Sequence, residues 1–249
     1  MAIEFVAWGP INTSGGNQNF QNSGGNVTPA LPSGIQAGDL IVLFCMNNDG
    51  TNATAHSATG YDDVHRISGS ITCKATLLTK VATSSESNPT VVTSGSGLTN
   101  DPTIVLVGVF RNVLYVDSFN SAGQEGKSNT RNTSTGTIFE YPAVPPQISE
   151  GWDNGSLVIV LSARPNDYGT APSDAGGYTI ISTETSLGSD SSLVAGYQIK
   201  TVNDPPDYAQ GDFGGTAAGN GTQGSTSLLA IYYGVAVATK PPYSQVVLI

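Results

Sequence analysis

The sequence predicts an all-β fold, a sandwich built from two diverged sequence repeats, and three observations carry that expectation. The first is Gly38-Asp39-Leu40-Ile41-Val42-Leu43-Phe44-Cys45-Met46, an apolar run that begins after one turn and stops at another, Asn47-Asn48-Asp49-Gly50. It is too short for a membrane span and lacks helical spacing, and its Ile, Val and Phe content suits a strand buried on both faces or nearly so. The second is that the run recurs: Gly155-Ser156-Leu157-Val158-Ile159-Val160-Leu161-Ser162-Ala163 lies 117 positions later (155 minus 38) and stops at Pro165-Asn166-Asp167. The third is composition. Only 11% of the chain is charged, and the polar remainder is Ser, Thr, Asn and Gly, a vocabulary of turns and exposed strand faces that serves helices poorly.

The recurrence extends past the first strand. Gly60-Tyr61 corresponds to Gly177-Tyr178, the run ending at Lys80 to the one ending at Lys200, and Val107 to Val113 to Leu229 to Val235. The order is kept while the offset grows slowly, as a diverged duplication requires.

Taken in order, Ile3 to Trp8 reads as an opening strand, and Asn12 to Gly25 as a long low-complexity loop. A turn at Ser33 to Gly38 launches the central strand. The chain is then polar to His56, with strands expected from Gly60 to Ile67 and from Ile71 to Ala82, the latter alternating with the period of two that marks one buried face. Pro89 to Thr93, Thr103 to Phe110 and Val113 to Phe119 follow as strands, Gly123 to Ser134 as a second polar loop, and Gly136 to Tyr141 as a strand. A proline-rich connector, Pro142 to Pro146, leads into the second copy. Its strands are expected at Leu157 to Ala163, Tyr178 to Thr185, Ser192 to Thr201 and Ser227 to Val237, with a glycine-rich loop from Gly211 to Gly224.

About five strands per copy, each sheet with one apolar face, cannot close on themselves and need a second layer. The simplest arrangement is one jelly-roll-like β-sandwich over residues 30–240, with repeats at about 30–120 and 147–237 packed together. It would be preceded by an N-terminal strand and polar loop at 1–29 and followed by an extended segment at 241–249. Two tandem small sandwiches are the alternative.

A formal net charge of −10 argues against nucleic-acid binding, which needs a basic footprint. No membrane span is expected, and Met1 to Glu4 does not open a signal peptide. Cys45 and Cys73 fall inside expected strands and read as buried, reduced thiols, not a disulfide framework.

Catalytic chemistry finds no motif. The two histidines, His56 and His65, lie in a polar region and read as exposed or turn residues, without a Gly-x-Ser-x-Gly elbow. Metal-ligand and phosphate-loop spacings are absent, so no cofactor is expected. Glu4, Glu140 and Glu184 on or near strands form no closely spaced glycosidase pair. Asp49 with Asp62 and Asp63, and Asp204 with Asp207, are loop acids that could collect around calcium, but they read as solvated turn carboxylates. Carbohydrate binding would use exposed aromatic platforms. Trp8 and Trp152 sit near strand starts where core packing is expected, leaving Tyr168, Tyr208 and Tyr243 as loop candidates.

One family resemblance stands out. Leu31 to Leu40 (Leu-Pro-x-Gly-x-Gln-Ala-Gly-Asp-Leu), Gly60-Tyr61, Lys80 to Thr83, Asn88 to Thr90 and Val109 to Val113 together resemble a jelly-roll-type domain of tailed-bacteriophage structural proteins. With the second copy the resemblance covers roughly residues 30 to 237. It implies a non-enzymatic virion protein, a capsid decoration or cement protein on the phage head, assembled in the bacterial host cytoplasm. The partners it implies are the major capsid protein and further copies of the chain, a trimer above other homo-oligomers. The alternative within the same setting is a tail-fibre or receptor-binding module recognising surface glycans. The expected interaction residues are Tyr243, Val246, Val247, Leu248 and Ile249, an apolar strand-favouring end behind Pro241-Pro242 that could add to a sheet edge of its own or of a neighbouring subunit.

Overall fold

The computed structural model describes residues 1–12, 16, 18–21, 25–48, 53–67, 73–95, 101–114, 127–132, 139–142, 155–173, 177–185, 191–200, 211–217 and 225–234. Among them the fold is all-β, and its strands are antiparallel. The first half contributes β1 (Glu4–Trp8), β2 (Phe20–Gln21), β3 (Leu40–Asn47), β4 (Ala53–Ala58), β5 (Asp62–Ile67), β6 (Lys74–Val81), β7 (Val91–Gly95), β8 (Thr103–Arg111) and β9 (Val113–Leu114). The second contributes β10 (Lys127–Asn132), β11 (Glu140–Tyr141), β12 (Ser156–Arg164), β13 (Tyr168–Thr170), β14 (Thr179–Thr185), β15 (Ser191–Lys200), β16 (Gly211–Asp212), β17 (Thr216–Ala217) and β18 (Thr226–Gly234).

Each half builds one large sheet. The first runs β1-β8-β3-β6-β5, with β2 also on β8; the second runs β10-β18-β12-β15-β14, with β9 also on β18. Corresponding strands occupy corresponding places, so the strand order is the same in both. Each large sheet also has an outer cover from its own half. In the first, β4 pairs with β7, and Val27 bridges to Val91 of β7. In the second, β11 pairs with β16 and β13 with β17, while Phe213 between β16 and β17 donates its N–H to the Phe139 carbonyl. In both halves the chain leaves the large sheet for the cover and returns to it, while β5-β6 and β14-β15 are consecutive pairs within the large sheets.

The central strands β3 and β12 are apolar through their middles, Leu40 to Met46 and Leu157 to Leu161, because both of their faces are buried. In β3, Leu40, Val42, Phe44 and Met46 point inward to the other half, while Ile41, Leu43 and Cys45 point outward to the cover. In β12, Leu157, Ile159, Leu161 and Ala163 point inward, and Val158 and Val160 outward onto Phe139, Tyr141, Tyr178 and Phe213. The inward faces of both sheets form one apolar cluster, in which β18 lies against β5 and β6, and β15 against β8. The order is therefore cover, sheet, sheet, cover. Residues of both halves share the central cluster, and each half also has a two-layer core of its own.

Backbone details recur along with the order. Gly38 and Gly155, matched in sequence, both take positive φ (91° and 83°), and so do Gly60 and Gly177 (79° and 76°), a region L side chains avoid. The expected strands at 71–82 and 192–201 settle at Lys74–Val81 and Ser191–Lys200. Several strands fall where the sequence predicts loops. The strand β4 falls in the run read as polar, β2 in the low-complexity loop, and β16 and β17 in the glycine-rich loop. Lys127–Asn132, read as loop, is the edge strand β10.

Candidate functional site

The most built polar feature of the described surface lies where the turn before β3 meets the end of β8. Arg111 donates from Nε to Asp39 Oδ1 and from Nη2 to Asp39 Oδ2, both at 2.8 Å, and Nη2 also donates to the Gly34 carbonyl at 3.1 Å. Asp39 Oδ2 accepts the Gln36 backbone N–H at 2.8 Å, and the Asp39 N–H donates to the Gln36 carbonyl at 3.1 Å. The carboxylate is thus held by a two-pronged guanidinium and by the turn it closes, the strong planar geometry for this pair. The Asp39 side chain is 2% exposed and Arg111 26%. Hydrogen bonding to Asp39 raises the Arg111 pKa above its ordinary value, so the cation is fixed in place. Next to it Asn112 takes φ 60° and donates from Nδ2 to the Ala2 carbonyl at 2.8 Å, tying the first residues to the same corner. Gln36, Ala37, Gly38, Asp39, Arg111 and Asn112 line a shallow cleft of about 230 Å³ there.

Chemically this corner is a clasp. Its carboxylate is held by the Arg111 guanidinium and the Gln36 N–H together, so it ties the turn before β3 to the end of β8. The second half places Ser156 where the first has Asp39, and the Ser156 hydroxyl has no hydrogen-bond partner. Sequence reading did not pair Asp39 with Arg111, which lie 72 residues apart. The available signal was that both stand in the stretches that carry the family resemblance.

The expected interaction residues Tyr243, Val246, Val247, Leu248 and Ile249 lie outside the described residues, as do Trp152, Tyr208, Asp49, Asp204 and Asp207. Trp8 packs in the core as expected, its ring 5.9 Å from Phe44 and 5.7 Å from Tyr197. Tyr168 is no free platform: its ring meets Phe139 edge-on at 5.5 Å and its hydroxyl reaches the Leu193 carbonyl at 3.4 Å. Glu4 and Glu140 lie on β1 and β11, which belong to different sheets, and Glu184 lies on β14. Asp62 and Asp63 sit exposed on β5, and among the described residues no cluster of His, Cys, Asp and Glu is placed to hold a metal.

His56 corrects an expectation. Its polar surroundings in the sequence predict an exposed or turn residue, whereas it is 1% exposed on β4, with Nδ1 2.8 Å from Thr76 Oγ1. Around it the outer core of the first half turns polar, with Asn47, Lys74, Thr93 and Thr103 all buried. Asn47 donates from Nδ2 to the Asp101 carbonyl and to Thr103 Oγ1, each at 3.1 Å, and the Thr93 and Thr103 hydroxyls pair at 2.8 Å. Ala53 to Ala58 hides its burial because its inward residues are His56 and the small Ala58, too little apolar bulk to register as a periodic signal.

No protein family, no curated protein and no solved structure matches this chain.

Proposed function

We propose that this chain is a non-enzymatic structural protein of a tailed-phage virion, a decoration or cement protein that coats the head as a homo-oligomer on the major capsid protein. The observation that carries the reading is the clasp. The stretch from Leu31 to Leu40 and the stretch from Val109 to Val113, which separately resemble phage jelly-roll domains, meet through Asp39 and Arg111. The resemblance thus falls on one three-dimensional unit. The repeated strand order further supports descent of the two halves from one duplicated jelly roll.

Such a protein works by mass action on the assembled shell. Binding across capsid subunits adds buried area that must be given up before the shell opens, and the gain grows with occupancy. Doubly covered sheets suit that role, because neither large sheet has to expose an apolar face.

The test is copy number. Quantitative mass spectrometry of purified particles of the phage that encodes the chain is expected to find it at hundreds of copies, in a fixed ratio to the major capsid protein. A few dozen copies or fewer would replace this reading with the receptor-binding module of the tail, which glycan-array binding would then support. Absence from the particle would remove both.

A further inference from the structure

Among the described residues, two buried side-chain hydrogen bonds fasten the outer cover of the first half to its large sheet. One joins β4 to β6 through His56 Nδ1 and Thr76 Oγ1 at 2.8 Å, and the other joins β7 to β8 through Thr93 and Thr103, also at 2.8 Å. Apolar contacts add to these, with Val27, Ala58 and Val91 in one cluster with Ile41, Leu43, Leu78 and Val105. The cover of the second half is different. It is aromatic, with Tyr141, Tyr178 and Phe213 packed at centroid distances of 5.0 to 5.7 Å and Phe139 edge-on to Tyr168 at 5.5 Å, and the chain's two histidines, His56 and His65, both belong to the first half.

His56 Nε2 is buried and has no hydrogen-bond partner. A neutral imidazole tolerates this, but an imidazolium would carry an N–H and a positive charge into a buried site where the Met46 carbonyl offsets only part of the cost of burial beside Lys74. The groups facing it offer little compensation. From β6 comes the buried Lys74 ammonium, and from β3 Asn47 and Cys45, whose thiol burial keeps neutral. From β7 comes Thr93, and the described carboxylates of β5, Asp62 and Asp63, are exposed.

We propose that His56 is an acid-operated latch: on protonation the β4–β7 cover lifts from the first large sheet, while the shared central core and the second half stay closed. The direction follows from linkage. Burial, and then Lys74, hold the closed-state His56 pKa down from 6.5 to about 3, with the Met46 carbonyl acting in the opposite sense without satisfying Nε2. The open cover binds the proton more readily, so closure is complete above pH 6.5 and weakens as pH falls from there towards 3. The opening equilibrium should rise about tenfold per pH unit in that window, so about 100-fold by about pH 4.5.

The experiment is hydrogen exchange on the full chain at about pH 7 and about pH 4.5, corrected for intrinsic exchange rates. Loss of protection in β4 and β7 with β11, β13, β16 and β17 retained supports the latch, provided that His56→Gln removes the pH dependence. Equal loss in both halves, unchanged protection at β4 and β7, or a His56→Gln protein that still opens on acidification overturns it. If His56→Gln does not fold, the wild-type His56 ring resonance decides. A ring that titrates near 6.5 while the β4 and β7 amides stay unperturbed overturns the latch; a ring whose protonation tracks the loss of those amide signals supports it.

Discussion

Phe5 of the first half stacks on Tyr197 of the second, with ring centroids 4.4 Å apart and planes 24° from parallel. Tyr197 also meets Phe110 edge-on at 5.4 Å and Trp8 at 5.7 Å, so one side chain of β15 is clamped by three rings of the opposite sheet. These contacts make the central seam directional as well as apolar. In a double-mutant cycle, Phe5→Leu and Tyr197→Leu should couple by about 0.5 to 1.5 kcal/mol. Tyr197→Ala should cost about 2 to 3 kcal/mol in denaturant unfolding, below a fully buried aromatic because the ring is partly exposed. Additive effects at the two positions would show that the rings only share a neighbourhood.

Because both sheets feed one inward cluster, the full chain is expected to unfold in a single transition by heat or denaturant. Ile159→Ala, placed deep in the second half, should destabilise by about 2 to 5 kcal/mol and lower hydrogen-exchange protection in β3 and β8 as well. Two resolved transitions, with β3 and β8 unaffected, would mean that the halves hold independently.

Two glycines separate backbone strain from collision. At Gly34, φ is 87° and an added Cβ would meet nothing within 4 Å, so Gly34→Ala carries left-handed strain alone, about 1 to 2 kcal/mol. At Gly215, φ is 69° and the Cβ would lie 2.6 Å from the Thr170 carbonyl oxygen and 2.7 Å from Pro172 N. Backbone cannot step aside as a side chain can, so Gly215→Ala should lower the melting temperature well beyond Gly34→Ala.

Breaking the clasp should reveal an asymmetry between its partners. Asp39→Ala removes the acceptor for the guanidinium and for the Gln36 N–H, whereas Arg111→Ala leaves the turn hydrogen bond in place. The Asp39 variant should therefore melt lower than the Arg111 variant, and the double variant should be little worse than Asp39→Ala alone.

Neither Cys45 nor Cys73 pairs with the other, and both are buried. Burial pushes both thiols up, so thiolate is scarce at neutral pH. A thiol reagent should label neither in the native protein and both once it is denatured.

Much of this architecture could be read from residue order because the two-face burial of β3 and β12 leaves an unbroken apolar run, and because β6 alternates where one face turns polar at Lys74 and Thr76. The covers could not. The strands β11, β13, β16 and β17 are two or three residues long, and β4 buries a histidine beside alanines, so their pairing rests on backbone hydrogen bonds that leave no periodic trace. The clasp was hidden for another reason. A bidentate pair is a statement about two distant chain positions, and nothing in the spacing of Asp39 and Arg111 announces it.

Burial of β3 and β12 on both faces removes the usual safeguard of a strand. When one face is wet, a one-residue slip drives apolar side chains into water, and that penalty holds the register. Here a slip of β3 would only exchange Leu43 and Phe44 between two apolar layers, so alternation gives little discrimination. Alignment must be enforced at the strand ends: by Asp39 on Arg111 and the left-handed Gly38 at one, and by Asn47 on Thr103 at the other. These polar terminal residues act as indexing pins for the apolar strand between them. Removing a pin at each end should produce chains that collapse at normal speed and then sort slowly among misaligned sheets.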